Sequence, residues 1–529
     1  MSPRLPRPLP MLLFGLAFLT LASCAGPRAT AGLIGLEIQA DGQTRSLDVP
    51  AGTTVQQAID LAGIALGTLD RVEPPGYTVL TDGSSIQLTR VAERFEIQAI
   101  TMPFEHQTIR NEALPEGETR LLQPGQNGLQ EVTYRIVEEG GIEVSRAPVQ
   151  TVIVQEPVAE IIMIGAQVAY TTLPVEGTLA YASGGNAWVM RDSSGSRRPV
   201  VVTGDIDGRV FRLSPDGRWL LFTRRLPEGE EGINSLWAVS TTETDPEPID
   251  LDAENVIHFA GWTPTVPPLT VAYSTVEPSP SAPGWQANND LILVTFSASG
   301  RLIGRGTVLE PSAGGQYGWW GTSYAWNSTT LLAYARADGV GTVDLRDPAL
   351  VPLLDIVPLQ TLGDWAWVPG VSWGRDGRTL FMVEHGAPIG MESPAASPAF
   401  DIVALNGQGQ VLPLVRNAGM FAAPVASPEV TTPGGEAAFQ IAFLQALSPL
   451  ESSDSRYRLV VMDRDGSNQR ALFPAPGEPG LEPQTVAWSP DVARVALIYR
   501  GDLWVVDVAT GAGQPLTGDG QTTALDWKP

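Results

Sequence analysis

The strongest constraint on this chain is a strand-turn-strand pattern that recurs through its C-terminal part. Phe211 to Thr223 reads FRLSPDGRWLLFT: a short apolar strand, a Ser-Pro-Asp-Gly turn, then a second strand. The pattern returns as FAGWTPTVPPLTVAYS (259–274), YAWNSTTLLAYAR (324–336), VSWGRDGRTLFMVE (371–384) and VAWSPDVARVALIYR (486–500), with a short echo, ALDWKP, at the end. Seven units can be marked, 178–203, 210–240, 258–298, 323–345, 370–405, 437–463 and 486–508, at a spacing of roughly 40 to 60 residues. Such a period predicts antiparallel hairpins stacked as repeated units rather than one continuous core.

Composition agrees with many short strands, since 55 Gly and 45 Pro supply frequent turns. At 529 residues the chain is expected to hold several domains. Its 58 acidic against 33 basic side chains give a formal charge of -25, which repels phosphate backbones and excludes nucleic acid as a natural partner. The only cysteine is Cys24 and the histidines are His106, His258 and His385, with no metal-ligand spacing, so no metal and no cofactor are expected.

Residues 1–23 read as a leader: Arg4 and Arg7, an apolar run from Met11 to Leu21, and small residues before Cys24. Leu21-Ala22-Ser23-Cys24 resembles the bacterial lipobox. That resemblance implies cleavage before Cys24, acylation of its sulfur, and an extracytoplasmic protein anchored in a lipid bilayer. An ordinary secretory leader or an uncleaved anchor are the alternatives.

After a tether at 24–32, residues 33–94 suggest a small grasp-like α+β domain. LIGLEIQA and QTRSLDVP form strands across Asp41-Gly42, Thr54 caps a helix in VQQAIDLAGI, and YTVLTD and SIQLTR form two further strands around Asp82-Gly83. This organisation resembles the ubiquitin-like repeat domain of secreted bacterial wall proteins.

Residues 95–167 carry a more specific series: Pro103-Phe104-Glu105, Leu114-Pro115-Glu116-Gly117, Gln123-Pro124-Gly125-Gln126-Asn127-Gly128, Val132-Thr133-Tyr134-Arg135, Glu143-Val144-Ser145-Arg146 and Ile161-Ile162. The series resembles the G5 domain, with Gly117, Gly125, Gly128, Gly140 (or Gly141) and Gly165 at the family glycine positions. The resemblance implies an elongated, flat β domain with little core that acts as a spacer or contacts peptidoglycan or another glycan containing N-acetylglucosamine. Strict alternation in VTYRIV and TVIVQE supports a thin sheet. Tyr134 and Phe104 read as packed rather than sugar-stacking.

A hinge at 168–177 leads to the repeats at 178–529. Ser214-Pro215-Asp216-Gly217 and Ser489-Pro490-Asp491 resemble the TolB-like or PD40 family, a WD40-like β-propeller. The resemblance implies about seven blades, with six or eight as alternatives. Thr522 to Trp527, paired with Gly177 to Ala182, would close the ring. The expected fold class is therefore multidomain and mainly β: a grasp-like module, a G5 domain and a C-terminal β-propeller.

Trp262, Trp326, Trp373, Trp488 and Trp527 hold equivalent strand positions and are expected in the core. Trp285, Trp319, Trp320, Trp365 and Trp367 fall outside the repeat and are the candidate contacts to a ligand or partner. Asp463 to Asn468 and Asp205 to Gly208 imitate the start of a calcium loop, lack its distal Glu, and read as turns. No acid-base pair stands out. The sequence thus points to a non-enzymatic surface lipoprotein that binds cell-wall glycan or an envelope protein, with the propeller as its platform. A glycosidase-like wall hydrolase and a TolB-like envelope assembly component are the alternatives.

Overall fold

The computed structural model describes residues 32–111, 114–166, 171–361, 363–431 and 437–529. The leader, Cys24 and nearly all of the tether lie outside these residues, as does hinge segment 167–170. The described chain forms two compact units. One contains the residues up to Glu105 together with Gly125–Ala159, and the other contains His106–Pro124 and Glu160–Pro529.

The first unit begins with β1 (Leu33–Ala40) and β2 (Gln43–Pro50), joined through Asp41-Gly42, followed by α1 (Val55–Leu61), β3 (Arg71–Glu73) and β4 (Ser85–Thr89). The sheet order is β2-β1-β4-β3, with β1 and β4 parallel. Thr54 starts the helix because its hydroxyl accepts from Gln57 N while the Gln57 side chain accepts from Thr54 N. Val55, Ala58 and Ile59 face Leu36, Ile38, Val49 and Ile86 in one small core. The segment YTVLTD contributes an isolated bridge, Val79 to Thr54, rather than a strand. β3 takes the sheet edge instead, and Tyr77 and Val79 stay exposed.

The same unit holds the sheet β5-β8-β9, from β5 (Val91–Met102), β8 (Gly128–Glu139) and β9 (Ile142–Gln155). The intervening β6 (His106–Asn111) and β7 (Thr119–Gln123) belong to the second unit, flanking β10 (Glu160–Gly165) in the order β6-β10-β7. The sequence from β5 to β10 therefore supplies strands to both units. Met163 of the smaller sheet and Leu114, which lies between β6 and β7, join the apolar cluster of Leu179, Trp188, Leu503 and Trp527 within the second unit.

The rest of the second unit is a succession of antiparallel sheets. Four-stranded sheets span 206–254, 323–355, 371–415, 425–473 and 487–515, and a five-stranded sheet spans 256–309. A three-stranded sheet places Pro174–Ser183 between Asn186–Val201 and Thr522–Lys528. Successive sheets share apolar clusters, such as Leu221 with Val271 and Phe296, and Val340 with Phe381 and Phe443.

The recurrent turn chemistry is local. Ser214 donates to Asp216 and accepts from Trp219 N, and Ser489 repeats this with Asp491 and Arg494 N. The strand tryptophans reach across sheets: Trp262 Nε1 donates to Arg212 O, Trp373 to Ala325 O, Trp488 to Val425 O and Trp527 to Glu176 O. Trp326 differs, its buried Nε1 having no partner.

The expected closed β-propeller is corrected at this level. The described sheets are separate and open, and none of them curls into a closed ring. Thr522–Lys528 does pair with Pro174–Ser183, yet it forms one edge of that sheet, with Asn186–Val201 as the other. The hairpin repeat specifies hairpins, because turn and strand are contiguous in sequence. It does not specify how separate open sheets associate, since packing and hydrogen bonds between segments far apart in the chain join them.

Candidate functional site

The five glycines of the G5-like series serve two physical purposes. A Cβ on Gly165 would lie 1.9 Å from Pro115 O, one on Gly128 2.6 Å from Gln155 O, and one on Gly125 2.3 Å from the Phe104 ring. These positions need a bare backbone. Gly117 and Gly140 meet nothing nearby but hold φ of 82° and 59°, the left-handed region that penalises a side chain.

The β5-β8-β9 sheet presents two unlike faces. On one, Ile136 lies between Arg94 and Arg146 in register and is fully buried. Arg94 donates to Glu138 and Glu96, and Arg146 donates to Glu96, each at 2.9 Å. Hydrogen bonds from Arg94 and then Arg146 hold the Glu96 carboxyl below its usual range. Arg146 also lies 4.8 Å above the Tyr134 ring, so Tyr134 is covered, and Phe104 is occupied against Gly125. The other face carries Phe95 and Ile97, 62% and 66% exposed, opposite Arg135 and Thr133. Sequence reading passed over Phe95. Its strand neighbours Arg94 and Glu96 carried the signal, because alternation sends them to the opposite face.

The candidate tryptophans diverge. Trp367 is 3% exposed, donates to Met420 O and packs on Phe400, so it is a core residue rather than a surface contact. Trp285 is partly buried edge-on to His258, with ring centres 4.5 Å apart. Its strand packs against the 3-10 turn Gly318–Trp320, which contains partly buried Trp319 and Trp320. Trp320 and the half-exposed Trp365 meet at one cavity of about 630 Å³, lined also by Tyr317, Pro358, Gln360, Thr361, Asp364 and Ala395.

The cavity walls are braced from behind. Asn289 Nδ2 donates to Gly318 O at 2.8 Å and to Ser312 O at 3.2 Å, Thr322 Oγ1 donates to Asn289 Oδ1, and Arg336 Nε donates to Thr322 Oγ1. Thr361 Oγ1 closes the opposite loop by donating to Trp365 O at 2.5 Å, and Gln360 N joins it to Ala395 O at 2.7 Å. The buried His385 ring lies 2.7 Å from Val357 O and 2.9 Å from Ser397 O, tying together the segments that carry Pro358 and Ala395. Tyr317, Asp364 and Asn289 were not singled out from sequence. A pattern break was available in 356–370, where IVPLQTLGDWAWVPG abandons strand alternation.

Burial pushes the His258 imidazole down to about 4, with Arg209 adding repulsion, and its Nε2 has no hydrogen-bond partner. Glu384 and Asp401 face each other across two strands; burial, then the neighbouring Asp401, pushes the Glu384 carboxyl up. In the Asp463 to Asn468 turn, Asn468 donates to Asp463 and Ser467 donates to Asp465. Among the described residues no group of three His, Cys, Asp or Glu side chains could hold a metal ion, and no helix is long and apolar enough to cross a membrane.

Residues 94–167 match the family model of the G5 domain, and residues 36–76 match that of the G5-linked ubiquitin-like domain. The resuscitation-promoting factor RpfB of Mycolicibacterium smegmatis (strain ATCC 700084 / mc(2)155) is 25% identical over 150 residues, covering 27% of this chain and 41% of that protein. The match thus spans less than half of that relative's length. The solved G5 domain of IgA1 protease is 28% identical, covering 15% of this chain and 94% of its own, with a TM-score of 0.13. A putative 6-phosphogluconolactonase from Bacteroides fragilis NCTC 9343 covers 66% of this chain and 96% of its own at 8% identity and a TM-score of 0.39, too low to carry an argument. The matched families are those of the N-terminal modules. With the open sheets described above, they leave the expected TolB-like, WD40-like β-propeller and its role as interaction platform without support. A surface or binding role rests on the ubiquitin-like and G5 modules.

Proposed function

We propose that this chain is an extracytoplasmic surface protein, lipid-anchored through Cys24, whose ubiquitin-like and G5 modules bind cell-wall glycan. The observation that carries the glycan reading is the exposed Phe95 and Ile97 pair on a single-layer sheet, beside the polar Thr133, Arg135 and Gln150. An aromatic ring flanked by hydroxyl, amide and guanidinium groups suits the apolar face and hydroxyl rim of a sugar ring. The net charge of -25 disfavours strongly anionic polymers, and an N-acetylglucosamine-containing glycan offers uncharged sugar rings of the kind this face suits. The Leu21-Ala22-Ser23-Cys24 sequence supports the anchor.

Retention of the full chain on purified peptidoglycan tests this reading. The double variant Phe95→Ser, Ile97→Ser is expected to be retained roughly tenfold less. Unchanged retention would leave the modules as a spacer. For the anchor, radiolabelled palmitate is expected to enter the native chain and to be absent from Cys24→Ala.

A further inference from the structure

We propose that the cavity between Tyr317, Trp320 and the residues 358–361 and 363–366 is a binding site for an uncharged pyranose unit of an oligosaccharide, separate from the G5 sheet. It is a shallow depression open to solvent, and its volume, about 630 Å³, falls within the range of small-ligand sites. Three of its lining side chains are aromatic, and Trp365 is 39% exposed, so ring surface is available for stacking. The polar lining consists of Tyr317, Gln360, Thr361 and Asp364, which bring hydroxyl, amide and carboxylate groups to the same space.

Charge narrows the ligand. Asp364 is the single charged side chain in the lining, and the protein as a whole is strongly acidic, so phosphates, uronates and other anions are repelled. A carboxylate beside aromatic rings can accept two hydrogen bonds from adjacent sugar hydroxyls while the C–H face of the ring lies on tryptophan. A quaternary ammonium group would also be drawn to such rings, but it is much smaller than the cavity and would leave the amide and hydroxyl groups unused.

Hydrogen bonds and close backbone contacts brace both walls. A Cβ on Gly318 would fall 1.7 Å from Ala313 O, so the turn that presents Trp320 requires glycine. The Arg336, Thr322 and Asn289 series holds that turn from beneath. On the other wall, a Cβ on Gly363 would sit 3.3 Å from the Trp365 ring, and Thr361 fastens the Trp365 carbonyl. Restraint of this kind lowers the ordering cost of binding.

The test is a titration of the purified full chain, followed by intrinsic tryptophan fluorescence and by saturation-transfer NMR. The probes are the tetrasaccharides of β-1,4-N-acetylglucosamine, β-1,4-glucose and α-1,4-glucose, with tetramethylammonium alongside. At least one oligosaccharide is expected to bind. Trp320→Ala and Trp365→Ala are each expected to weaken it roughly tenfold with unchanged circular dichroism. Trp365→Phe should restore part of the loss, and Asp364→Asn should weaken binding less than the tryptophan changes. The Phe95→Ser, Ile97→Ser variant should keep this binding in full, which separates this site from the G5 reading. The proposal is overturned if no oligosaccharide binds at millimolar concentration, if Trp320→Ala and Trp365→Ala bind like the native chain, or if tetramethylammonium alone binds.

Discussion

The β5-β8-β9 sheet and the sheets after Pro174 cover their apolar residues by opposite means. In the thin sheet, Ile136 belongs to none of the apolar clusters of the described residues. Arg94 and Arg146 flank it in register, held by Glu96 and Glu138, so their aliphatic stems can shield it while the charged ends stay wet. In the later sheets, Phe222, Phe381 and Phe443 are fully buried in apolar clusters shared between sheets. A chain can therefore hold one strand pattern in two energetic regimes, one sensitive to ionic strength and the other to side-chain volume.

The sharpest way to break this comparison is to truncate one fully buried side chain in each regime. Phe222→Ala should cost about 4 kcal/mol in urea unfolding, because a rigid cluster leaves a cavity. All tryptophans follow residue 187, so their fluorescence reports on these sheets alone. The second effect is confined to the later sheets and depends on pH. His258, held down at about 4 against an ordinary 6.5, favours folding with a neutral ring. The unfolded chain binds the proton more readily, so this contribution is present above pH 6.5 and is lost as pH falls from 6.5 toward 4, about 3 kcal/mol in all. His258→Phe should flatten that part of the pH–stability curve relative to the native chain, and an unaltered curve would remove His258 from the account.

Ile136→Ala comes third, at about 2 kcal/mol, because flexible arginine stems can settle into the gap. Amide exchange along β8 is the measurement, and rising salt should speed exchange there while leaving the strand Trp219–Arg225 unaffected. A cost equal to that of Phe222→Ala would show that the charged cover is as rigid as an apolar core. The smallest effect is at Gly117. Its open surroundings leave only the penalty of a left-handed φ, so Gly117→Ala should cost about 1 kcal/mol by thermal unfolding followed by circular dichroism.

The same division governs what could be read in advance. Thr54 was legible as a helix cap, Ser214 and Ser489 as turn residues, and the glycines from Gly117 to Gly165 as backbone positions, because each acts through neighbours a few residues away or through the space its own backbone needs. YTVLTD looked like a strand and became a connection with one isolated bridge, since the pairing edge went to Arg71–Glu73. Trp365 and Trp367 were indistinguishable in sequence. Two residues apart, one lines a cavity and the other donates to Met420 O in the core.

By itself, the sequence determined the hairpins, the capped helix and the N-terminal modules, where local hydrogen bonds and backbone conformations decide the outcome. Tertiary structure alone decided that the repeats form separate open sheets rather than the closed ring their period suggested, and that β6, β7 and β10 join a different compact unit from β5, β8 and β9. It also decided that Trp320, Trp365 and Asp364 share one cavity. Those outcomes depend on side-chain packing between segments far apart in the chain, and no contiguous stretch of sequence encodes that packing.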